Sequence, residues 1–263
     1  MSLKKFFRPL TILSYADVAT LTSAFLGFLA ITYIIDGSKA SFIVAMIILP
    51  ISAIIDGMDG ALARRFGTKH DFGKYLDSIS DSICFGMAPS ILVYSLYYDI
   101  DRGPALDFIN DDLEFAFRYN LENLVAITAA IMIALLSILR LARFTRGIQG
   151  ENLYFSGLPA PALAMFIMVI SIKYSIVNDY DSVLIPFVIG LVSLLTVTTI
   201  SYAKARARFR NPILFGILVL ILTMVLRYFE NSMWETLWYA AFGLYMAYFA
   251  LIPVMIWAGY FEE

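Results

Sequence analysis

An all-α polytopic membrane protein of about eight transmembrane helices is the fold class that this sequence predicts. Composition is the first ground: 60% of the 263 residues are hydrophobic and only 15% are Asp, Glu, Lys or Arg, whereas a soluble domain carries about 25% charged residues. The second is a series of apolar runs at residues 15–35, 40–63, 75–98, 121–142, 158–177, 183–203, 212–229 and 234–258. Each approaches or exceeds the roughly 20 residues needed to cross a bilayer core, and the runs are continuous. That continuity excludes an outer-membrane barrel, whose strands are alternating segments of about 10 residues. The third is charge segregation. Lys4, Lys5, Arg8, Arg64, Arg65, Lys69, Lys74, Arg140, Arg143, Arg146, Lys204, Arg206, Arg208 and Arg210, 14 of the 19 basic residues, fall on one side of the eight-span arrangement. Lys39, Arg102, Arg118, Lys173 and Arg227 fall on the other. The positive-inside rule then predicts a multi-pass cell-membrane protein with both termini in the cytoplasm.

Two divisions are expected: a cytoplasmic amphipathic segment at 1–12 and a single transmembrane domain at 13–263. The first is basic and aromatic, suited to lie on a lipid surface. The first span carries Thr20, Thr22, Ser23 and Gly27, small and polar residues that permit close helix approach, and lacks a small-residue cleavage site, so it is expected to be retained. A polar external loop at 99–120 concentrates Asp99, Asp101, Asp107, Asp111, Asp112 and Glu114, with a short surface helix expected around 106–119. A second break at 144–160 contains ENLYFSG, close to a protease-tag recognition string; its position deep inside the chain favours coincidence. Cys84 and His70 are each the sole residue of their type, which excludes an internal disulfide and a Cys/His zinc site and leaves Cys84 as a small packing residue. No repeat and no nucleotide-binding glycine loop is present, and no nucleic-acid partner is expected.

Four aspartates, Asp56, Asp59, Asp77 and Asp81, interrupt the second and third apolar runs. One Asp at the centre of a membrane helix costs roughly 2.5–3.5 kcal/mol on insertion scales, so four need a compensating cation. Taken singly, each is as well explained as a helix cap; as a group, they are not. Spacings of three and four put each pair on one helix face, and a connection over 64–74 brings two antiparallel helices side by side. Converging carboxylates suit hard divalent ions, Mg²⁺ or Mn²⁺, and two such ions are a familiar arrangement for attack at phosphorus. Gly57, Gly60, Gly73 and Gly86 are expected to let a bulky ligand approach the backbone, and Arg64, Lys69 and Lys74 to neutralise a diphosphate.

Residues 56–81, DGMDGALARRFGTKHDFGKYLDSISD, resemble the signature of the CDP-alcohol phosphatidyltransferases, matched at Asp56, Asp59, Gly60, Ala63, Arg64, Gly73, Asp77 and Asp81. Within that family DSISDSICFGMAPS (77–90), LRLARF (139–144) and GLPAP (157–161) resemble the membrane-type phosphatidylserine synthases of bacteria and archaea, up to about residue 161. The stretch Ser14-Tyr15-Ala16-Asp17 departs from the Pro-Asn pair often found there. The resemblance implies a six-helix core open to the cytoplasmic leaflet, a homodimer, and metal dependence. It also implies one ion on Asp56, Asp59 and Asp77, a second near Asp56, Asp77 and Asp81, and Asp81 as general base. Gly60, Ala63, Arg64 and Gly73, with Thr20, would receive the CDP moiety. The implied reaction transfers a phosphatidyl-type group from CDP-diacylglycerol or CDP-archaeol to L-serine and releases CMP. Arg140, Arg143 and Arg146 are candidates for the serine carboxylate, although all three also obey the positive-inside pattern. Glycerol 3-phosphate or an inositol phosphate is the alternative acceptor. A cation transporter or channel is the competing class, disfavoured because the acids lie near one face.

Overall fold

The computed structural model describes residues 14–66, 71–98, 113–145, 154–174, 183–203, 207–229 and 232–257. Helix α1 (Tyr15–Asp36) opens on a capping box: Asp17 N–H donates to Ser14 Oγ at 3.2 Å, and Ser14 N–H donates to Asp17 Oδ2 at 2.7 Å. The stretch that departs from the family's usual pair thus has its own helix-starting chemistry. Thr20, Ser23, Gly27, Ala30, Ile31 and Ile34 form the buried stripe of α1 at helical spacing, while Phe25 and Phe28 point outward. Gly37, with φ of 75°, ends the helix, and Ser38 Oγ accepts from Ser41 N–H at 3.1 Å to start α2 (Lys39–Phe66).

The third rod is compound. Helix α3 (Asp71–Asp81) passes into a π-helical turn (Ser82–Met87) and then α4 (Ala88–Tyr97). Pro89 offers a reason for the widened turn, since its ring would clash with the carbonyl four residues back in regular α geometry. Helix α5 (Leu113–Thr145) follows, with no Pro or Gly to interrupt it. The expected surface helix at 106–119 is therefore, in its described part, the first turns of this long helix. The N-terminal segment 1–12 and loop residues 99–112 lie outside the described residues.

After α5 come strand β1 (Tyr154–Ser156), α6 (Ala160–Tyr174), α7 (Leu184–Ser193) with a 3-10 turn (Leu194–Val197), strand β2 (Ser201–Ala203), α8 (Ala207–Tyr228) and α9 (Met233–Trp257). The strands pair antiparallel with Phe155 opposite Tyr202, a small exception to the all-helical expectation that takes up Tyr154–Ser156 of the ENLYFSG stretch. Gly157, at φ of 80°, donates to Ile200 O at 2.8 Å, and Leu158 N–H donates to Leu195 O at 2.9 Å, continuing the seam.

Among the described residues five helices are long and apolar enough to span a membrane: 15–36, 39–58, 72–97, 121–145 and 233–257. This corrects the expected eight. Helix α6 has 15 residues and α7 with its 3-10 turn has 10 and 4; at 1.5 Å per residue neither reaches more than about 23 Å, short of a ~30 Å core, whereas α8 has 22 residues over its whole length. The run at 183–203 fails because the chain leaves the helix after Val197 and enters β2. Helix α6 misled hydropathy for another reason: every residue from Leu163 to Ile172 is buried, because α6 packs against α2, α4, α7, α8, α9 and the π-turn. A helix enclosed by protein is apolar all round whether or not it crosses lipid.

Polar ties fix the bundle where apolar contact alone would not. Ser90 Oγ donates to Ala130 O at 2.7 Å between α4 and α5, and Trp238 Nε1 donates to Val169 O at 2.6 Å between α9 and α6.

Candidate active site

One carboxylate oxygen from each of Asp56, Asp77 and Asp81 lies within 4.8 Å of the others, and all three residues are half-buried. Asp56 comes from α2, Asp77 and Asp81 from α3. Helix α2 runs to Phe66 and α3 begins at Asp71, so the connection is shorter than the expected 64–74 and both aspartate pairs lie within helix. Asp59, Gly60, Ala63 and Arg64 are on α2, but their side chains lie outside the described part, as does the segment carrying Lys69.

Helix α1 is the splint that makes the carboxylates meet. Ser23 Oγ donates to Ser52 O at 3.2 Å, one turn before Asp56, and Ser80 Oγ, adjacent to Asp81, donates to Thr20 O at 2.9 Å. Cys84 Sγ donates to Ser23 O at 3.1 Å, in keeping with its expected packing role. Gly27 permits this approach, because a Cβ there would stand 2.6 Å from Cys84 Sγ and 3.1 Å from Cys84 Cα. Thr20 is buried and its hydroxyl donates to Ala16 O at 3.1 Å, while its carbonyl anchors Ser80. Sequence reasoning noted Thr20, Ser23 and Gly27 as small or polar but did not connect them to the aspartates; their common 3–4 spacing was the available signal.

The glycines divide into two roles. Among the described residues a Cβ on Gly57 would meet nothing within 4 Å. Gly73 is half-buried on α3. Gly86 corrects its expectation: it is buried with Ser137 Cβ 3.4 Å from where its own Cβ would lie, so it serves helix packing.

That packing brackets Arg140. Ser137 sits one turn before it, and beyond it Thr145 Oγ1 hydrogen-bonds Ser78 Oγ, so α5 is held to the aspartate-bearing rod on both sides of Arg140. Arg140 is 5% exposed, so α5 buries a guanidinium while packing against the aspartate-bearing rod. Arg143 is exposed, and its Nη1 donates to Val197 O at 2.9 Å, tying α5 to the 3-10 turn. Arg146 lies outside the described residues.

The donor set suits a hard divalent cation, since three converging carboxylates supply oxygen ligands and negative charge. Asp56 and Asp81 make other interactions, yet Oδ1 of each is buried and accepts no hydrogen bond, leaving an oxygen from each helix available for coordination. Asp56, Asp77 and Asp81 form a candidate metal-binding cluster.

Residues 13–258 match the family of CDP-alcohol phosphatidyltransferases. The chain belongs to this family. The family match continues past Pro161 through the helices where the sequence showed only shared hydropathy. The chain is 33% identical over 190 residues to the archaetidylserine synthase of Methanothermobacter thermautotrophicus, covering 72% of this chain and 69% of that one. It is 28% identical over 215 residues to the CDP-diacylglycerol–serine O-phosphatidyltransferase of Helicobacter pylori, covering 80% and 81%. A protein of the same description from Methanocaldococcus jannaschii is 34% identical over 173 residues, covering 65% and 69%. In this phosphatidyltransferase family member, three of the four aspartates singled out by sequence, Asp56, Asp77 and Asp81, are brought together by the helices, and the Asp59 side chain lies outside the described part.

Proposed function

We propose that this protein transfers a phosphatidyl-type group from CDP-diacylglycerol or CDP-archaeol to the hydroxyl of L-serine and releases CMP. The observation that carries this reading is the meeting of Asp56, Asp77 and Asp81, with Arg140 buried on α5, the helix tied to the aspartate-bearing rod through Ser78 and Thr145. The choice of serine is supported by similarity to proteins named for transfer to serine.

Asp81 takes the proton of the serine hydroxyl, and the serine oxygen then forms a bond to the phosphorus that carries the lipid. The bond from that phosphorus to the bridging oxygen breaks, and CMP departs with the electron pair. Arg140 is suited to the serine carboxylate, because a guanidinium fork matches two carboxylate oxygens and its burial strengthens the contact. Asp56, Asp59, Asp77 and Asp81 would hold two divalent ions, Mg²⁺ or Mn²⁺, which supply charge neutralisation at the diphosphate. Gly60, Ala63, Arg64 and Gly73, by their places in the motif, line the CDP pocket, with the Thr20 backbone bracing it. The basic helix ends around Arg64, Arg140, Arg143, Arg208 and Arg210 face the cytoplasm. Helix α8, 22 residues long, crosses along with the five long apolar helices, so that the crossings are even in number and both termini lie on that side. The protein works as a homodimer.

The test is CMP release from CDP-diacylglycerol with Mn²⁺ or Mg²⁺ and one alcohol at a time. Release that depends on serine and stops on chelation supports the reading. Release driven by glycerol 3-phosphate or an inositol phosphate with serine inert overturns the acceptor. Cross-linking in native membranes tests the dimer, and protease access to tagged termini tests the orientation.

A further inference from the structure

Away from the aspartate cluster, the turn from α8 into α9 carries an arginine on a fixed aromatic platform. Arg210 lies in the first turn of α8 and Arg227 in its last, so at 1.5 Å per residue about 26 Å of helix separates them. That is close to the ~30 Å hydrocarbon core and puts Arg227 at the headgroup boundary opposite the basic helix ends. Tyr228, Phe229 and Met233 beside it are all exposed, and an aromatic-rich rim of this kind suits a membrane interface.

The guanidinium carbon of Arg227 stands 5.2 Å from the centre of the Trp234 ring. Trp234, in the first turn of α9, is 6% exposed. One turn further, Trp238 donates to Val169 O at 2.6 Å and stacks on Phe242 with centroids 5.1 Å apart, so this end of α9 is held in place. Cation–π contact occupies one face of the guanidinium and uses none of its N–H donors. Among the described residues, Nε of Arg227 is buried and donates no hydrogen bond, and no carboxylate forms a salt bridge with the side chain. Arg227 is only half-buried, so a ligand can reach its tip from the surface. A preorganised, uncommitted guanidinium fork matches the paired oxygens of a phosphodiester, the abundant anion at that depth of a bilayer.

Helix α9 has a use for such a ligand. Only 12% of its apolar stretch is buried in protein, against 33% to 50% for the other four long helices. A headgroup fastened where α8 hands over to α9 supplies a tie that protein neighbours do not. We propose that Arg227, held on Trp234, binds the phosphodiester of a membrane phospholipid in the leaflet opposite the basic helix ends, and that the bound lipid steadies α9 against α8. The inference rests on α8 crossing the bilayer and is independent of the acceptor.

The test uses delipidated full-length protein in mild detergent, titrated with phosphatidylglycerol, with diacylglycerol of the same chains, or with inorganic phosphate, and read by thermal unfolding and intact-complex mass. Phosphatidylglycerol should raise the unfolding temperature and remain bound, and the other two should do neither. Arg227→Gln should weaken phosphatidylglycerol binding about tenfold, the scale of one hydrogen bond to a charged group. Arg227→Lys, which keeps the charge and loses the fork, should fall between the two and serves as the readout if the Gln variant does not fold. A loss of stability in both variants that is equal with and without phosphatidylglycerol makes Arg227 a packing residue and overturns the inference. So does an equal response to diacylglycerol, which needs no phosphate, or to inorganic phosphate, which needs no lipid. Phe229→Cys in sealed vesicles checks the crossing separately, since the only other thiol, Cys84, is buried. A membrane-impermeant maleimide should label it from the face opposite the termini; labelling from the same face as the termini overturns the α8 crossing and this inference with it.

Discussion

Replacing Asp77 by Asn should change stability in opposite directions with and without divalent cations. The three carboxylate oxygens lie within 4.8 Å of one another, and at an effective dielectric of about 20 a like-charged pair at that separation repels by about 3.5 kcal/mol. Asp77→Asn removes two such pairs, those with Asp56 and Asp81. Half-burial and mobile counter-ions screen the repulsion, leaving on the order of 1–3 kcal/mol. With chelator present, the variant should therefore unfold several degrees higher than the parent. With Mn²⁺ the order should reverse: the parent gains stability as RT ln(1 + [M]/Kd), about 2.7 kcal/mol at a hundredfold excess over Kd, whereas the variant has lost a ligand. The assay is thermal unfolding in detergent, with cation titrated into chelated protein, and activity is not needed to read it. Two results would refute the reasoning: a variant less stable than the parent in chelator, or one that gains as much from Mn²⁺ as the parent does.

Asp81→Asn should abolish serine-dependent CMP release while CDP-diacylglycerol binding, followed by equilibrium titration, stays within about threefold; full turnover by the variant rejects Asp81 as the base. Gly27→Ala places a methyl 2.6 Å from Cys84 Sγ and 3.1 Å from its Cα, so α1 and the π-turn must part at a cost of about 1–3 kcal/mol. Cys84→Ala in the same chain should recover only part of that loss in thermal unfolding, because the backbone contact remains. Gly157→Ala combines a left-handed φ of 80° with a Cβ 2.3 Å from Thr196 O, and should lower the unfolding temperature more than Gly216→Ala, whose Cβ would meet nothing within 4 Å.

The chemistry was legible in the sequence because the aspartate motif is local. Spacings of three and four fix a helical face without reference to the rest of the chain, and helices joined by a short connection must lie side by side. Span counting was less secure, because hydropathy registers burial and not the medium that provides it. Helix α6 is enclosed by protein over Leu163–Ile172, and the run beginning near residue 183 turns into a strand that pairs with a partner some 45 residues away. Gly86 looked like a ligand-facing glycine until α5 was seen to cover it.

By itself the sequence determined a membrane-embedded helical protein, the carboxylates that converge, and a likeness to a family of lipid transferases, since each rests on composition or on spacing within one or two neighbouring helices. Only tertiary structure decided that α1 splints the aspartate helices and that Arg140 is buried while Arg143 binds a carbonyl. Those bonds join residues 60 and 54 positions apart, and a side chain's direction across such distances is set by which helices pack together.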